Sequence, residues 1–284
     1  MLDTLTRRQF LATTAAAAAS FSTIAAAEPK HIPIGLELYS VRNELKKDLF
    51  GTVTDVAKLG YEGVEFYSPY FAWTADYARE VRAQLDGLGI SCWSTHNGPE
   101  AFTEKGMAKA IELNHIIGSK YVVMASAGEV KGLDGWKRVA ETLNRSVEPF
   151  KAAGMRPGYH NHDVEYRELE GKRPIDIIGS TEHAVGMQVD VGGCLQGGGD
   201  PVAFIRKHAG RVFSLHCKEY SADPKKGFRV LVGDGDAPWK KIIEAAEKVG
   251  GVEYYLIEQE GADMPPMQTA ALCLKNFKRI RGGE

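Results

Sequence analysis

Five times along this chain a helical pattern ends on a glycine and a strand-like run follows. The patterns at 49–59, 75–88, 105–117, 136–153 and 239–249 stop at Gly60, Gly89, Gly118, Gly154 and Gly250. A glycine just past the last turn takes the left-handed conformation that closes a helix. Eight strand-like runs fill the spaces between: 33–39, 63–67, 90–95, 121–125, 156–160, 186–191, 212–217 and 254–258. Several are continuous apolar runs, as expected of parallel strands covered on both faces. Asp200-Pro201 reads as the N-cap and first residue of a further helix, and a last helix is read over 266–281.

Alternation of this kind predicts an α/β fold with a parallel sheet. The 284 residues suit one (β/α)8 barrel, which typically needs ~250 residues. No break in composition divides residues 28–284, so one domain is expected there. An open doubly wound sheet is the structural competitor, but it usually carries a glycine-rich first turn for a dinucleotide. The first strand here reads Gly35-Leu36-Glu37-Leu38-Tyr39-Ser40, without such a turn. Gly197-Gly198-Gly199, just before the Asp200 cap, reads as a flexible loop rather than a phosphate cradle.

Residues 1–27 read as a leader rather than part of the fold. Thr6-Arg7-Arg8-Gln9-Phe10-Leu11 precedes an alanine-rich apolar run that ends in Ala25-Ala26-Ala27, a small-residue cleavage pattern. The paired arginines resemble the bacterial twin-arginine export signal. A periplasmic or secreted mature protein that does not span a membrane is therefore expected. Cys92, Cys194, Cys217 and Cys273 form no Cys-x-x-Cys pair and read as free, structural thiols. The net charge of −2 gives no reason to expect a nucleic-acid partner.

In a barrel the active site lies at the C-terminal ends of the strands. The second run ends in Glu65-Phe66-Tyr67, the third in Thr95-His96-Asn97 and the fifth in His160-Asn161-His162-Asp163. Asp190 closes the sixth, His216-Cys217-Lys218-Glu219 the seventh and Glu258-Gln259-Glu260 the eighth. Such side chains are costly to bury without partners. Taken alone, Asp190 reads equally well as a helix cap or an ion-pair partner. A ring of acids with two or more imidazoles calls for a cation, and mixed carboxylate and imidazole ligands suit divalent Mn, Co, Fe or Zn.

Six stretches then carry a family likeness: Gly60-Tyr61-Glu62-Gly63-Val64-Glu65, Tyr159-His160-Asn161-His162-Asp163, Gln188-Val189-Asp190-Val191-Gly192, Leu215-His216-Cys217-Lys218-Glu219, Gly233-Asp234-Gly235-Asp236 with Trp239, and Leu256-Ile257-Glu258-Gln259. In this order and spacing they resemble the sugar phosphate isomerase/epimerase family, the xylose isomerase-like TIM barrels. The resemblance implies one divalent metal ion (Mn, Mg, Co or Zn). Its ligands would be an acid on strand five, Asp on strand six, His on strand seven and Glu on strand eight. The last three positions are Asp190, His216 and Glu258. On strand five, where many members have Glu, this chain has His160, two residues before His162. Strand alternation puts both imidazoles on one side, so either can reach the metal, with His160 preferred. Glu165, just beyond, is a third candidate.

The resemblance implies proton transfer by a pair of groups flanking the substrate, beside a metal-polarised oxygen. With His on strand five the pair becomes Glu258 and an imidazole. Lys218 is placed to stabilise an enolate oxygen or donate a proton, and His96 is a second reserve. Glu65, His96, His162 and Trp73 are candidate substrate-binding residues, Trp73 by stacking on a sugar ring. Tyr159 and Phe66 read as core. The leading expectation is an isomerase or epimerase of an unphosphorylated sugar or keto-sugar. A lyase or dehydratase acting on keto-glycosides or inososes shares its first step, and a non-catalytic carbohydrate-binding barrel is the alternative outside enzymes. Sugar phosphates are cytoplasmic, so export argues for an unphosphorylated sugar or glycoside partner. A homo-oligomer is left open. A DNA-cutting relative with a multi-metal cluster is disfavoured by the leader and the near-neutral charge.

Overall fold

In the computed structural model, residues 31–282 are described; the expected leader at 1–27 lies outside them. Eight parallel strands close into a barrel in chain order: β1 (Ile34–Glu37), β2 (Gly63–Phe66), β3 (Ser91–Asn97), β4 (Tyr121–Met124), β5 (Arg156–His160), β6 (Gly186–Asp190), β7 (Val212–Cys217) and β8 (Tyr254–Ile257). β1 pairs with both β2 and β8, which closes the ring. The fold is thus a (β/α)8 TIM barrel, and every strand lies within two residues of its expected bounds.

The helix stops follow from glycine at four of the five expected places. Gly60, Gly89, Gly118 and Gly154 have φ between +67° and +91°. The fifth differs. The helix Trp239–Ala245 runs on as a wider π turn over Ala246–Gly250, and Gly251 (φ +88°) closes it in place of Gly250. Asp200 caps its helix as expected, with Oδ1 accepting from the backbone N–H groups of Val202 and Ala203. Of the glycines at 197–199, Gly197 and Gly199 pack closely, while Gly198 lies in open space at φ +77°. A Cβ on Gly197 would sit 2.3 Å from the Asp163 carbonyl oxygen and one on Gly199 2.5 Å from the Tyr166 ring, so close approach explains two of the three and the left-handed backbone the other. No described helix is long and apolar enough to cross a membrane. All four cysteines are buried and unpaired.

The barrel floor determines which residues reach the mouth. β3 and β7 each carry one extra residue relative to the preceding strand: Val64 pairs with Cys92 but Glu65 with Ser94, and Met187 pairs with Val212 but Gln188 with Ser214. The extra residues are Trp93 and Phe213. Both rings fill the barrel interior, where Phe213 stacks on Tyr121 (4.0 Å, 2°) and Trp93 tilts against Tyr254 (4.9 Å). Glycines on adjoining strands make room. A Cβ on Gly63 would lie 2.7 Å from Trp93, and one on Gly186 2.5 Å from Phe213. A bulge shifts the alternation by one residue and re-aims the side chains after it. Beyond these two, His96 and His216 face the interior, whereas Thr95 faces the helices and bonds Tyr70 and Asn114.

Candidate metal centre and cleft

The strand ends converge on a buried charged cluster. Ligand atoms of His160, Asp190, His216 and Glu258 all lie within 4.8 Å of one another, and all four residues are buried. His216 is at the centre: Nδ1 is 2.6 Å from Glu258 Oε2 and Nε2 is 2.7 Å from Glu65 Oε2. Asp190 does two jobs with two oxygens. Oδ1 accepts from Gly193 N–H at 2.7 Å and caps the helix Val191–Gln196. Oδ2 lies 3.8 Å from both His160 Nε2 and Lys218 Nζ. The cap and the ligand readings of Asp190 thus apply to different atoms of one carboxylate. The Asn161 side chain holds the Asp190 backbone in place, accepting from its N–H and donating to its carbonyl, both at 3.1 Å.

Lys218 reaches the same cluster from beyond β7. Its ammonium lies 3.1 Å from Glu258 Oε1, pairs with Glu260, and sits 4.8 Å over the Phe228 ring. The neighbouring Glu219 points the other way and is a bracket. It accepts from the backbone N–H groups of Tyr220, Gly233 and Ala237 and from Trp239 Nε1. A Cβ on Gly235 would lie 2.6 Å from Glu219 Oε1, which accounts for a glycine there. The Gly233–Asp236 stretch with Trp239 therefore anchors the loop after β7, and with it Lys218.

Opposing charges set the protonation states. Burial alone would lower the His216 pKa, but Glu65 and then Glu258 outweigh it and carry it up to about 10. Burial penalises ionised Glu65, yet His96 and His216 bring its pKa down to about 2. Burial likewise opposes ionised Glu258, and Lys218 followed by His216 holds it well below the carboxylate range. Burial, then the neighbouring imidazoles, pushes His160 well below its ordinary value, so it is a neutral imidazole. For Lys218, burial is overcome by Glu258, Asp190 and Glu260, and its pKa is raised.

The residues fit a divalent cation. The Nδ1 atom of His160 is buried without a hydrogen-bond partner. The donor set offers two carboxylates and two imidazoles, the mixture that borderline divalent metals take. Buried acids also outnumber buried bases at the mouth, which favours an added positive charge.

Above the cluster opens a cleft of about 570 Å³, with Glu37, His96, His160 and Glu258 in its floor and Tyr39, Tyr67, His162 and Glu260 on its walls. The His160 ring belongs to the cluster, while His162 stands exposed in the cleft wall, the two rings 5.0 Å apart. Three expectations change. Glu165 does not bring a carboxylate to the cluster: it accepts from Tyr159 Oη at 2.6 Å and from His162 N–H at 2.9 Å. Glu65 does not present itself to a sugar. It is fully buried and committed to His216, His96 and Gln188. Trp73 packs edge-to-face with Phe66, Tyr70 and Tyr77 and is not among the residues that line the cleft.

Two residues join the site that the strand-end reading passed over. Glu37 is buried at the cleft floor with Oε2 unpartnered, and burial, then Glu65 and Glu258, raises its pKa well above the carboxylate range. It is a carboxylic acid able to donate a proton. Its signal was an acid in an otherwise apolar strand, the same pattern that marked Asp190 and Glu258. Gln188, on the inner face of β6, bonds Glu65 at 2.9 Å and His96 at 2.6 Å and fixes their orientation.

A family model described as xylose isomerase-like TIM barrel matches residues 53–278. This chain belongs to that family. Among curated proteins it is similar to the inosose dehydratase of Clostridium perfringens, 23% identical over 269 residues that span 80% of this chain and 88% of that one. Among solved structures it is similar to a sugar phosphate isomerase/epimerase from Parabacteroides distasonis, with TM-score 0.74 and 23% identity over 91% of this chain and 98% of the other. D-psicose 3-epimerase from Clostridium cellulolyticum superposes with TM-score 0.68 at 16% identity, over 88% of this chain and 99% of its own. At these identities the structural likenesses speak for the fold that this family member shares with them.

Proposed function

We propose that this family member is a divalent-metal-dependent enzyme that removes a proton next to the carbonyl of an unphosphorylated keto-sugar and completes turnover by elimination, as a lyase or dehydratase. The observation that carries this reading is the unlike pair at the cleft floor: ionised Glu258 as base and the protonated carboxyl of Glu37 as acid. Elimination calls for one base and one acid, and the inosose dehydratase relatives favour it over epimerisation, which starts from the same pair of protonation states. His160, where a second carboxylate would stand, is neutral and serves as a ligand.

His160, Asp190, His216 and Glu258 would hold the cation, whose contribution is to polarise a bound carbonyl. Glu258 takes the proton, and its second oxygen faces Lys218. The Lys218 ammonium, kept charged by three acids, stabilises negative charge developing on the substrate oxygen. His96 and His162 orient hydroxyl groups from the wall of the cleft. The inosose dehydratase relatives support the elimination step. Isomerisation or epimerisation through the same enolate is the second reading, supported by the likeness to the epimerase structures. The test is to incubate metal-loaded protein with inososes, keto-glycosides and ketohexoses in D2O. Loss of water or aglycone is expected. Deuterated epimers that keep every oxygen would overturn elimination, and binding with no turnover of any of them would favour the carbohydrate-binding barrel.

We also propose export by the twin-arginine route, supported by Arg7-Arg8 and the small-residue site at Ala25-Ala26-Ala27. Replacing both arginines by lysine should retain the protein in the cytoplasm; unaltered export would rule that route out.

A further inference from the structure

A second cavity of about 620 Å³ adjoins the cleft. The two share Ser126 and His162 in their walls, so one imidazole stands between them. Their chemistry differs. The cleft is floored by the charged cluster, whereas the second cavity holds none of those groups: Val130, Trp136, Val164, Leu169 and Pro174 form an apolar wall, beside the polar groups of Glu165, Arg167 and Glu168. Val164 is 50% exposed, one of three large apolar side chains that the described residues leave in solvent, and it lines this cavity. A concave wall of apolar side chains beside a site is the kind of surface that receives an apolar ligand group. The cation at its rim, Arg167, is ion-paired with Asp163.

We propose that this second cavity is a leaving-group subsite that binds an aromatic aglycone, so the substrate is an aryl glycoside of a keto-sugar. The inference rests on the elimination reading and names its substrate class. A cleft of about 570 Å³ is already within the range of a complete small-ligand site, so a free monosaccharide leaves the adjoining cavity without a purpose. His162 lines both spaces, so an aglycone on a sugar held over the cluster would pass it to reach Val164 and Val130. The step balances without a redox partner. Glu258 removes the proton from the carbon between the carbonyl and the anomeric carbon, and that electron pair becomes a carbon–carbon double bond. The anomeric C–O bond then breaks, and the aglycone oxygen leaves with its pair and takes up the proton that Glu37 donates. The products are an unsaturated keto-sugar and a phenol.

The experiment compares 4-nitrophenyl and methyl 3-keto-β-glucosides by titration calorimetry and by turnover, with metal-loaded wild-type protein and Val164→Arg. The aryl glycoside is expected to bind about tenfold or more tightly than the methyl glycoside, roughly the return on burying part of a ring. Val164→Arg, at an exposed position, should bring that ratio close to one. Equal affinities in the wild type, or a ratio that Val164→Arg leaves intact, would overturn the subsite. Turnover of both glycosides without aryl preference would sink the subsite and leave the elimination reading standing. Aryl preference in binding with no release of phenol would do the reverse.

Discussion

The rings of His96 and His216 stack 4.8 Å apart and 11° from parallel, although they come from strands on opposite sides of the barrel. Each follows a bulge whose extra residue is an aromatic ring in the barrel floor, Trp93 on one side and Phe213 on the other. The site therefore depends on packing well below it. Gly186→Ala would place a methyl 2.5 Å from Phe213 and is expected to cost about 1–3 kcal/mol as overpacking. Urea melts would read the loss. A metal titration should show weakened binding in the folded variant, because displacing Phe213 displaces His216. Normal stability and normal metal affinity would separate floor from site.

A proton occupies His216 when metal does not. Its pKa, raised by Glu65 and Glu258 against burial, is about 10. A ligand imidazole must be neutral, so metal competes with that proton. Affinity should rise about tenfold per pH unit through the neutral range, with proton release visible by calorimetry in buffers of different ionisation enthalpy. The metal-free protein should behave in the opposite sense. A pKa raised on folding stabilises fully below the ordinary value of 6.5, and the contribution is lost as pH rises through about 10. Thermal melts of chelated protein should therefore fall across that window, and His216→Gln should flatten this part of the profile.

Lys218 has three acidic partners and remains charged. Its role is accordingly electrostatic rather than proton transfer. Lys218→Met should lower kcat by about 10²–10³-fold, as removal of one preorganised charge-stabilising donor does. Metal content should hold, since Lys218 is not a ligand. A wild-type pH profile that shows no lysine limb would agree, whereas a fall in activity tracking an amine titration near neutrality would assign it the proton.

The strands and most helix ends were legible because apolar runs and glycine stops are local signals, and each survives in the fold. Gly250 was misplaced by one residue because a π turn adds a residue that no composition rule marks. Asp190, His216 and Glu258 were legible as polar residues closing apolar strands. Glu37 carried the same mark but sits before a 3-10 turn instead of a recognisable loop motif. Glu65 and Trp73 differ for two reasons: the Glu65 partners Gln188 and His216 lie more than 120 residues away and meet it only in the closed barrel, whereas the Trp73 partners Phe66, Tyr70 and Tyr77 are near in sequence and come together through the turn after β2.

Asp190 allows cap and ligand to be separated by two substitutions. Asparagine caps helices about as well as aspartate, while alanine forfeits about 1 kcal/mol, within a range of about 0.5–2. Asp190→Asn keeps an acceptor for Gly193 N–H but removes the charge at Oδ2. In the metal-free protein that charge is a cost, since burial, only partly offset by Lys218, raises the Asp190 pKa. The chelated Asn variant should thus melt at or above the wild-type temperature, and the chelated Ala variant below it. Both should bind metal at least about 100-fold more weakly, beyond the 10–100-fold that even outer-shell changes produce. If Asn and Ala destabilise the chelated protein equally, the Gly193 bond is not what Asp190 contributes to the fold. If Asn binds metal like wild type, Asp190 is a cap alone and the cation must be held by His160, His216 and Glu258 without it.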